Sequence, residues 1–358
     1  MTPRVLLEDT STPSDALLSL LTSHLPHSLP VLRCLQFARN FPNGRSPRAH
    51  VLYAHYQEGE SSDGQTRGQQ HRKQPQQQFA AAYVDLWRGP ETQIWLYSTL
   101  EDRCATTTTT TTTTPTSATS GVIRGEGPRA RAGRHSACDL TPDEGKQGLD
   151  LVLALLRRAR TVATAGDHPP FIPAAEGGPE GRRMKVLIGS LHEDVRQKLL
   201  ASGVRMEKSP NLPAELEWEF CGKWLFRVED LPRSNGSLPE GMRWDRVRRE
   251  DVRVVLERTS IKRKEATLLM VPSTVIRLDD GTPIAWVFMG LDGSVVTLHV
   301  EQQYRRLGLA KAVACKIMRD HLQDYGDDGW GAADVFEGNL ASQGFCRSIG
   351  GKLSWTIS

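Results

Sequence analysis

The stretch that decides the fold is SVVTLHVEQQYRRLGLAKAV, residues 294–313. It begins with a β-branched, apolar run typical of a strand and continues into a helical pattern at 308–324. Between the two, residues 305–310 (RRLGLA) fit the pattern Arg/Gln-x-x-Gly-x-Gly/Ala. A glycine there lets the backbone approach an anion closely, and the free N–H groups of a helix start point toward that anion. The stretch therefore predicts a site for a phosphate or pyrophosphate.

The pattern is weak by itself, because at ordinary residue frequencies it occurs about once per 10³ positions. A near match, RSNGSL at 233–238, lies in a Pro/Gly/Ser-rich stretch. Only the match at 305–310 follows a predicted strand and precedes a predicted helix. The alternative interpretation of that match is a helix start with two solvated arginines.

The residues around this stretch alternate between strand and helix patterns. Asp-Gly turns at 280–281 and 292–293 separate three strand-like runs, and such turns are strong hairpin signals. The other predicted elements are a strand (242–247), a helix (248–261), a basic helical piece (262–270), a strand (331–337), a helix (339–349) and a final strand (352–357). We therefore expect residues 242–358 to form an α/β domain whose mixed sheet splits beside strand 295–300.

The first part of the chain, residues 1–230, also mixes helices and strands. Helical patterns cover 15–24, 148–162 and 191–202, and strand patterns cover 49–56, 79–87, 92–100, 183–190 and 216–228. Gly89-Pro90 and Cys221-Gly222 predict hairpin turns. The Pro/Gly/Ser-rich stretch 231–241 is the expected linker to the second domain.

Three segments have compositions that bury too little apolar surface to join a core. They are a Gln-rich segment (57–78), a segment with nine consecutive threonines (102–142) and a Pro/Gly-rich segment (165–182). We expect all three to be loops or disordered, because ordering them would cost more entropy than their burial offsets. On this view they are dispensable insertions in the first domain.

The overall composition excludes several classes of protein. The 45 basic and 42 acidic residues leave a formal net charge of +3, which argues against a dedicated nucleic-acid binder. The longest apolar runs fall far short of the ~18 residues of a membrane span. The six cysteines form no CxxC pair and no cluster with histidine, so we expect no disulfide framework and no metal site. The N-terminal sequence fits neither a secretory signal nor a transit peptide, and we expect a cytoplasmic protein.

Taken together, these features resemble the GNAT superfamily of acyl-CoA-dependent N-acyltransferases, and within it the glycine N-acyltransferase branch. The resemblance rests on PIAW (283–286), the turn at 292–293, RRLGLA (305–310) and NLASQGFCRSIGG (339–351). It implies a GNAT acyl-CoA N-acyltransferase fold for residues 242–358. The first domain resembles the family more loosely, through residues 25–39 and its mixed order of helices and strands. This weaker resemblance implies that the first domain is a degenerate GNAT-like half without a CoA loop.

The resemblance also implies what the protein binds. The co-substrate would be acetyl-CoA or another acyl-CoA, and the acceptor a small-molecule amine or amino acid, with no metal, nucleic-acid or membrane partner. The backbone of the central strand would bond the pantetheine arm, and the loop after it would bind the phosphates. The residues implied to bind the cofactor are Leu298, His299, Val300, Arg305, Arg306, Leu307, Gly308, Leu309, Ala310, Asn339 and Ser342. Trp286 is expected to contact the substrate.

Candidate catalytic residues follow from the alternation of side chains along a strand. Uninterrupted alternation would put Val296 and Val300 on one face, and His299 and Glu301 on the other, toward the acceptor. An attacking amine must be neutral, so a base is needed, and we expect Glu301, or else His299, to act through a water. Cys346 occupies the position at which many GNAT enzymes carry a tyrosine that protonates the leaving thiolate.

Two departures from the glycine N-acyltransferase pattern leave alternatives open. Gln303 replaces a glutamate of that branch and cannot act as a base. For Cys346, a structural cysteine on an amphipathic helix is the favoured interpretation over a proton donor. The expected function is direct acyl transfer from a CoA thioester to an amine in a ternary complex. The alternative is a non-catalytic acyl-CoA-binding or interaction protein on the same fold. A hydrolase has no G-x-S-x-G motif in its support.

Overall fold

The computed structural model describes residues 4–57, 77–89, 91–103, 140–165, 185–207, 220–233, 238–259, 261 and 263–358. Within these residues the strands are β1 Val5–Thr10, β2 His50–Tyr56, β3 Phe79–Val84, β4 Ile94–Ser98, β5 Ile188–Gly189, β6 Cys221–Arg227, β7 Met242–Asp245, β8 Ser273–Leu278, β9 Pro283–Met289, β10 Val295–Val300, β11 Trp330–Phe336 and β12 Lys352–Ile357. The helices are α1 Asp15–Ser23, α2 Leu29–Asn40, α3 Pro142–Ala165, α4 Glu193–Ala201, α5 Val252–Arg258, α6 Glu265–Met270, α7 Leu309–Tyr325 and α8 Leu340–Ser348.

Two halves of the chain repeat the same strand order. In the first half β1 to β4 pair antiparallel, and β5 lies parallel to β4. In the second half β7 to β10 pair antiparallel, and a single parallel bridge from Ser294 to Ala332 connects this sheet to β11. Beyond that bridge β10 and β11 separate. The expected mixed α/β architecture and the split beside 295–300 are both confirmed.

Strand β6 crosses from the first half into the second. It lies between β11 and β12 and pairs antiparallel with both. The interpretation of Cys221-Gly222 as a hairpin turn is therefore wrong, because both residues lie inside this strand, while 216–219 lie outside the described residues. Consequently the three-stranded sheet of β11, β6 and β12 contains a strand that precedes the expected linker at 231–241.

The C-terminal strand, β12, also contacts the first half of the chain. His192, at the start of α4, forms an isolated antiparallel bridge with Ile357 of β12. Leu191 and Ser358 exchange both backbone hydrogen bonds, at 3.2 and 3.0 Å. The three sheets therefore join edge to edge through this bridge and the Ser294–Ala332 bridge.

Helix α2, which the sequence analysis did not identify, is the shared core of the two halves. Its residues from Leu29 to Ala38 are buried, and it packs on β3 and β4 of the first half and on α7 of the second. A helix that is apolar on most sides is typical of such a central position. Its Arg33 forms a two-pronged ion pair with Asp328 of the second half, at 2.7 and 2.5 Å.

Most remaining predictions for the first half are confirmed with shifted boundaries, but of the strand predicted at 183–190 only the two residues of β5 form a strand, and 183–184 lie outside the described residues. The hairpin across Gly89 exists, and Gly89 has φ +65°, which glycine adopts readily. Helix α3 is longer than predicted and begins at Pro142, a favoured first helical residue. Asp102 belongs to a turn and accepts a hydrogen bond from Tyr97, at 2.7 Å, so it is not part of a loose segment. The centres of the three low-complexity segments lie outside the described residues.

Among the described residues, no helix is both long and apolar enough to cross a membrane.

Candidate functional site

A bulge in β10 decides which side chains reach the split between β10 and β11. Val296 pairs with Phe288 and His299 with Trp286, so two residues of β10, 297 and 298, lie opposite one residue of β9. Thr297 has φ +55°, an uncommon value for a β-branched residue. The expected strict alternation is therefore wrong. Val296 shares the face of His299, because Phe288 and Trp286 lie on the same face of β9, while Val300 lies on the opposite face.

The ring of His299 stacks on Trp286, with 4.6 Å between centroids and 21° between the planes. Trp286 is completely buried, so the structure puts this predicted substrate contact beneath His299 and out of reach of solvent. Burial lowers the pKa of His299 from its ordinary value, although the Glu301 carboxylate acts in the opposite direction. His299 is therefore neutral at pH 7.

Glu301 lies beside His299 at the end of β10. Its Oε1 is 3.7 Å from Nε2 of His299, and that nitrogen is buried without a hydrogen-bond partner. The same Oε1 accepts a hydrogen bond from Nε of Arg258, the last residue of α5, at 3.0 Å. Sequence reasoning missed Arg258 because it is one of several arginines near this helix, and no local pattern distinguishes it.

The edge of β10 that faces away from β9 carries backbone groups that do not pair with β9. The N–H of Glu301 donates to Ile284 of β9 at 2.9 Å, so the backbone groups of the preceding residue, Val300, face the split. The Val300 carbonyl accepts a hydrogen bond from Nε of Arg305 at 3.1 Å. Val300 and Arg305, predicted to bind the cofactor, are thus brought together.

The loop after β10 leads to an uncapped helix start. Gly308 is the N-cap of α7 with φ +78°, and it offers no side chain to the first N–H groups of the helix. The first intrahelical bond runs from Ala312 N to Gly308 O at 3.1 Å, which leaves the preceding N–H groups without a partner inside the helix. Space around a Cβ at Gly308 is open, and Arg305 and Arg306 are exposed. An anion can approach this helix start, which the helix dipole favours.

The structure does not connect the predicted residues of α8 to the split between β10 and β11. Asn339 caps α8, because its Oδ1 accepts a hydrogen bond from Ser342 N at 3.0 Å. In the described chain, no hydrogen bond or ion pair joins Asn339 or Ser342 to residues 298–310. Cys346 is buried in the core, and burial raises the pKa of its thiol to about 11. The thiol therefore carries a proton at pH 7, as a proton donor must. Its burial, however, agrees with the interpretation of Cys346 as a structural cysteine.

In the described part of the chain, histidine, cysteine and carboxylate side chains form no cluster that could hold a metal ion. The chemistry available at the split is therefore a neutral imidazole, a carboxylate held by an arginine, backbone N–H and C=O groups at the edge of β10, and a positively polarised helix start.

Comparison with known proteins gives one family and several structural likenesses. Residues 3–216 match the family model described as acyl-CoA N-acyltransferase verG N-terminal domain. Among proteins with curated descriptions, none matches this chain.

Among solved structures, a Drosophila protein is similar over 99% of this chain and 96% of its own, with a TM-score of 0.52 and 15% identity. A tandem GNAT protein from the clavulanic acid biosynthesis pathway is similar over 99% and 98%, with a TM-score of 0.41 and 11% identity. A GCN5-related N-acetyltransferase from Sphaerobacter thermophilus is similar over 78% of each chain, with a TM-score of 0.38 and 11% identity.

Proposed function

The chain belongs to the family described as acyl-CoA N-acyltransferase verG N-terminal domain and has a GNAT fold, and from this premise we propose that it transfers an acyl group from a CoA thioester to an amine. The observation that carries the proposal is the split between β10 and β11. The backbone N–H and C=O of Val300 face that split, and the uncapped start of α7 follows a few residues later. A strand edge and a helix start in this order suit an extended amide chain that ends in phosphates.

We assign the pyrophosphate of CoA to the start of α7. The N–H groups of Leu309 and Ala310 would donate to its oxygens, and Arg305 and Arg306 would add positive charge. The pantetheine amides would pair with the free edge of β10, which requires Arg305 to release the Val300 carbonyl. In this assignment the predicted strand residues and the predicted loop residues form one continuous binding surface for CoA.

For the base, the geometry favours His299 over Glu301, the reverse of the order expected from sequence. Glu301 already accepts a hydrogen bond from Nε of Arg258, so its Oε1 is engaged by a guanidinium group. His299 is neutral at pH 7, and its Nε2 lies nearest Glu301. With the proton on Nε2, directed to Glu301, Nδ1 is the atom that accepts a proton from the amine, directly or through a water. Glu301 and Arg258 are then positioning residues.

The reaction balances without an acyl-enzyme. The amine nitrogen attacks the thioester carbon as His299 takes one of its protons, and the Val300 N–H stabilises the oxyanion. The C–S bond then breaks, and the proton held by His299 returns to the leaving thiolate through solvent. Much of the rate would come from holding amine and thioester in line. Cys346 has no step in this scheme because its thiol is buried.

The acceptor is a small amine or amino acid, and the glycine N-acyltransferase branch remains a prediction from the sequence. A second candidate function is acyl-CoA binding without catalysis. The Arg258–Glu301 pair and the bond from Arg305 to Val300 favour it, since both occupy groups that catalysis would use.

One experiment separates the two functions. The full chain is incubated with acetyl-CoA or benzoyl-CoA and a mixture of amines and amino acids, and free thiol is followed over time. Amine-dependent thiol release that disappears in His299→Ala supports acyl transfer. Tight CoA binding with no amine-dependent release would support the non-catalytic function and overturn the proposal.

A further inference from the structure

A groove on the first half lies apart from the split between β10 and β11. It has a volume of about 420 Å³ and is formed by the segment before β2, the turn after β3 and the last turns of α3. Its walls include Arg48, Leu86, Trp87, Arg158 and Val162. This volume falls in the range of small-molecule sites, which run from about 300 to 1,000 Å³.

The charge of the groove is positive. Asp9 is shared between two basic side chains, accepting a hydrogen bond from Nε of Arg158 at 2.6 Å and lying 2.7 Å from Nδ1 of His50. Arg48 is exposed, and within the described residues it forms no ion pair. The guanidinium groups of Arg48 and Arg158 face the single carboxylate of Asp9, so an anion would be attracted here.

The apolar part of the groove is built for a flat ring. Trp87 is 39% exposed, and the Arg48 guanidinium lies 4.9 Å from its ring centroid. An arginine stacked over a tryptophan presents a planar cation beside an aromatic surface. Leu86 and Val162 complete an apolar wall.

From these features we propose that the groove binds a small aromatic monoanion, a carboxylate or sulfonate on a planar ring system. The ring would pack against Trp87 and the apolar wall, and the anionic group would meet Arg48 and Arg158. A neutral ring would lose the charge contribution, and a cation would be repelled.

The groove is also connected to the second half. Its turn at Leu86–Arg88 continues to Glu91, which accepts hydrogen bonds from Lys264 N at 3.0 Å and from the Thr267 hydroxyl at 2.6 Å. The Arg88 carbonyl accepts a bond from Lys264 Nζ at 2.6 Å. These contacts hold the start of α6, so a ligand that fixes Trp87 would also stabilise this contact between the halves.

The test uses three probes of the same shape and different charge. The full chain, saturated with CoA so that the split is occupied, is titrated by calorimetry with 1-naphthoate, 1-naphthylmethanol and 1-naphthylmethylamine. We expect saturable binding of naphthoate, weaker binding of the alcohol by about tenfold, and no binding of the amine. Equal affinity for acid and alcohol, or no saturable binding of naphthoate at millimolar concentration, would overturn the proposal.

Variants locate the site. Arg48→Ala removes an exposed side chain and should weaken naphthoate binding by about tenfold, and Trp87→Ala by a similar factor. The matched control is Arg160→Ala, which removes the same charge from an exposed position of α3 outside the groove and should change the affinity less than about twofold. Undiminished binding in both Arg48→Ala and Trp87→Ala would assign the probe to another surface and refute the groove.

Discussion

His299 of β10 lies directly opposite Trp286 of β9, and the two rings stack at 4.6 Å. This pairing exists only because the bulge at 297–298 shifts the register of β10 by one residue. Without the bulge, continued alternation would turn His299 to the other face of the sheet. The bulge and the buried indole together fix the imidazole next to Glu301, at the edge of the split where acyl transfer is proposed.

The first prediction concerns the pH dependence of turnover. At saturating acceptor, kcat should rise as His299 loses its proton and then flatten, with the inflection below pH 6.5 because burial lowers this pKa. His299→Ala should lower kcat by about 10²-fold and remove the inflection. Glu301→Gln removes the charge that raises the His299 pKa, so the inflection should move to lower pH with a smaller loss of rate. Wild-type turnover in both variants would show that neither residue takes part in deprotonation.

The second prediction concerns acid sensitivity. Burial, and next the charge of His27, lower the pKa of His192 to about 3. Between pH 3 and 6.5 the unfolded chain binds a proton at this residue that the folded chain does not, so stability must rise with pH across that window. The free energy of unfolding in urea should be about 2 kcal/mol lower at pH 5 than at pH 7 from this residue alone.

The matched variant for that measurement is His192→Asn. Asparagine is a good N-cap, as His192 is for α4, but it does not titrate. The overall stability of the variant will differ from that of the wild type. The comparison therefore uses only the slope of the free energy of unfolding against pH between pH 5 and 7. An unchanged slope in the variant would contradict the assignment to His192.

The third prediction concerns the ion pair between the halves. Arg33 is completely buried and its guanidinium is bound by Asp328, so Asp328→Ala would leave a buried charge without its partner. Such a change costs about 3–5 kcal/mol of unfolding free energy. Asp327→Ala, at the exposed neighbouring position, should stay within about 0.5 kcal/mol of wild type. Similar losses in the two variants would mean that the ion pair does not hold the halves together.

The fourth prediction follows from the position of β6. A fragment of residues 242–358 lacks this strand, so β11 and β12 would expose unpaired edges and the fragment should aggregate. A fragment of residues 220–358 keeps β6 and should be more soluble, with a stronger strand signal by circular dichroism. Equal solubility of the two fragments would show that β6 is not required for the sheet that contains β11 and β12.

Much of the second half could be predicted from its sequence because its signals are local. The Asp-Gly turns fix the hairpins of β8, β9 and β10, and the glycine before α7 marks the helix start. The loop at 305–310 was found because its pattern falls between a strand and a helix. These features depend on interactions between residues close in the sequence. Such interactions leave a local signal in the hydrophobic periodicity and in the turn residues.

The features that were missed depend on contacts between distant residues. The bulge at Thr297 opposes local propensity, since β-branched residues disfavour positive φ, and only tertiary structure imposes it. The pairing of β6 with β11 joins residues about a hundred positions apart, and no periodicity encodes a partner. The contact of Arg258 with Glu301 likewise arises from packing of α5 near β10.

The central claim is that the start of α7 binds the phosphates of CoA, and Gly308 offers the most direct test. Asn and Asp both tolerate the left-handed backbone found there, and the space around a Cβ is open, so Gly308→Asn and Gly308→Asp differ mainly by one negative charge. By calorimetry with CoA, we expect Gly308→Asn to bind within about threefold of wild type and Gly308→Asp to bind at least ~10-fold more weakly, with unchanged circular dichroism. Equal CoA affinity of the two folded variants would contradict the claim.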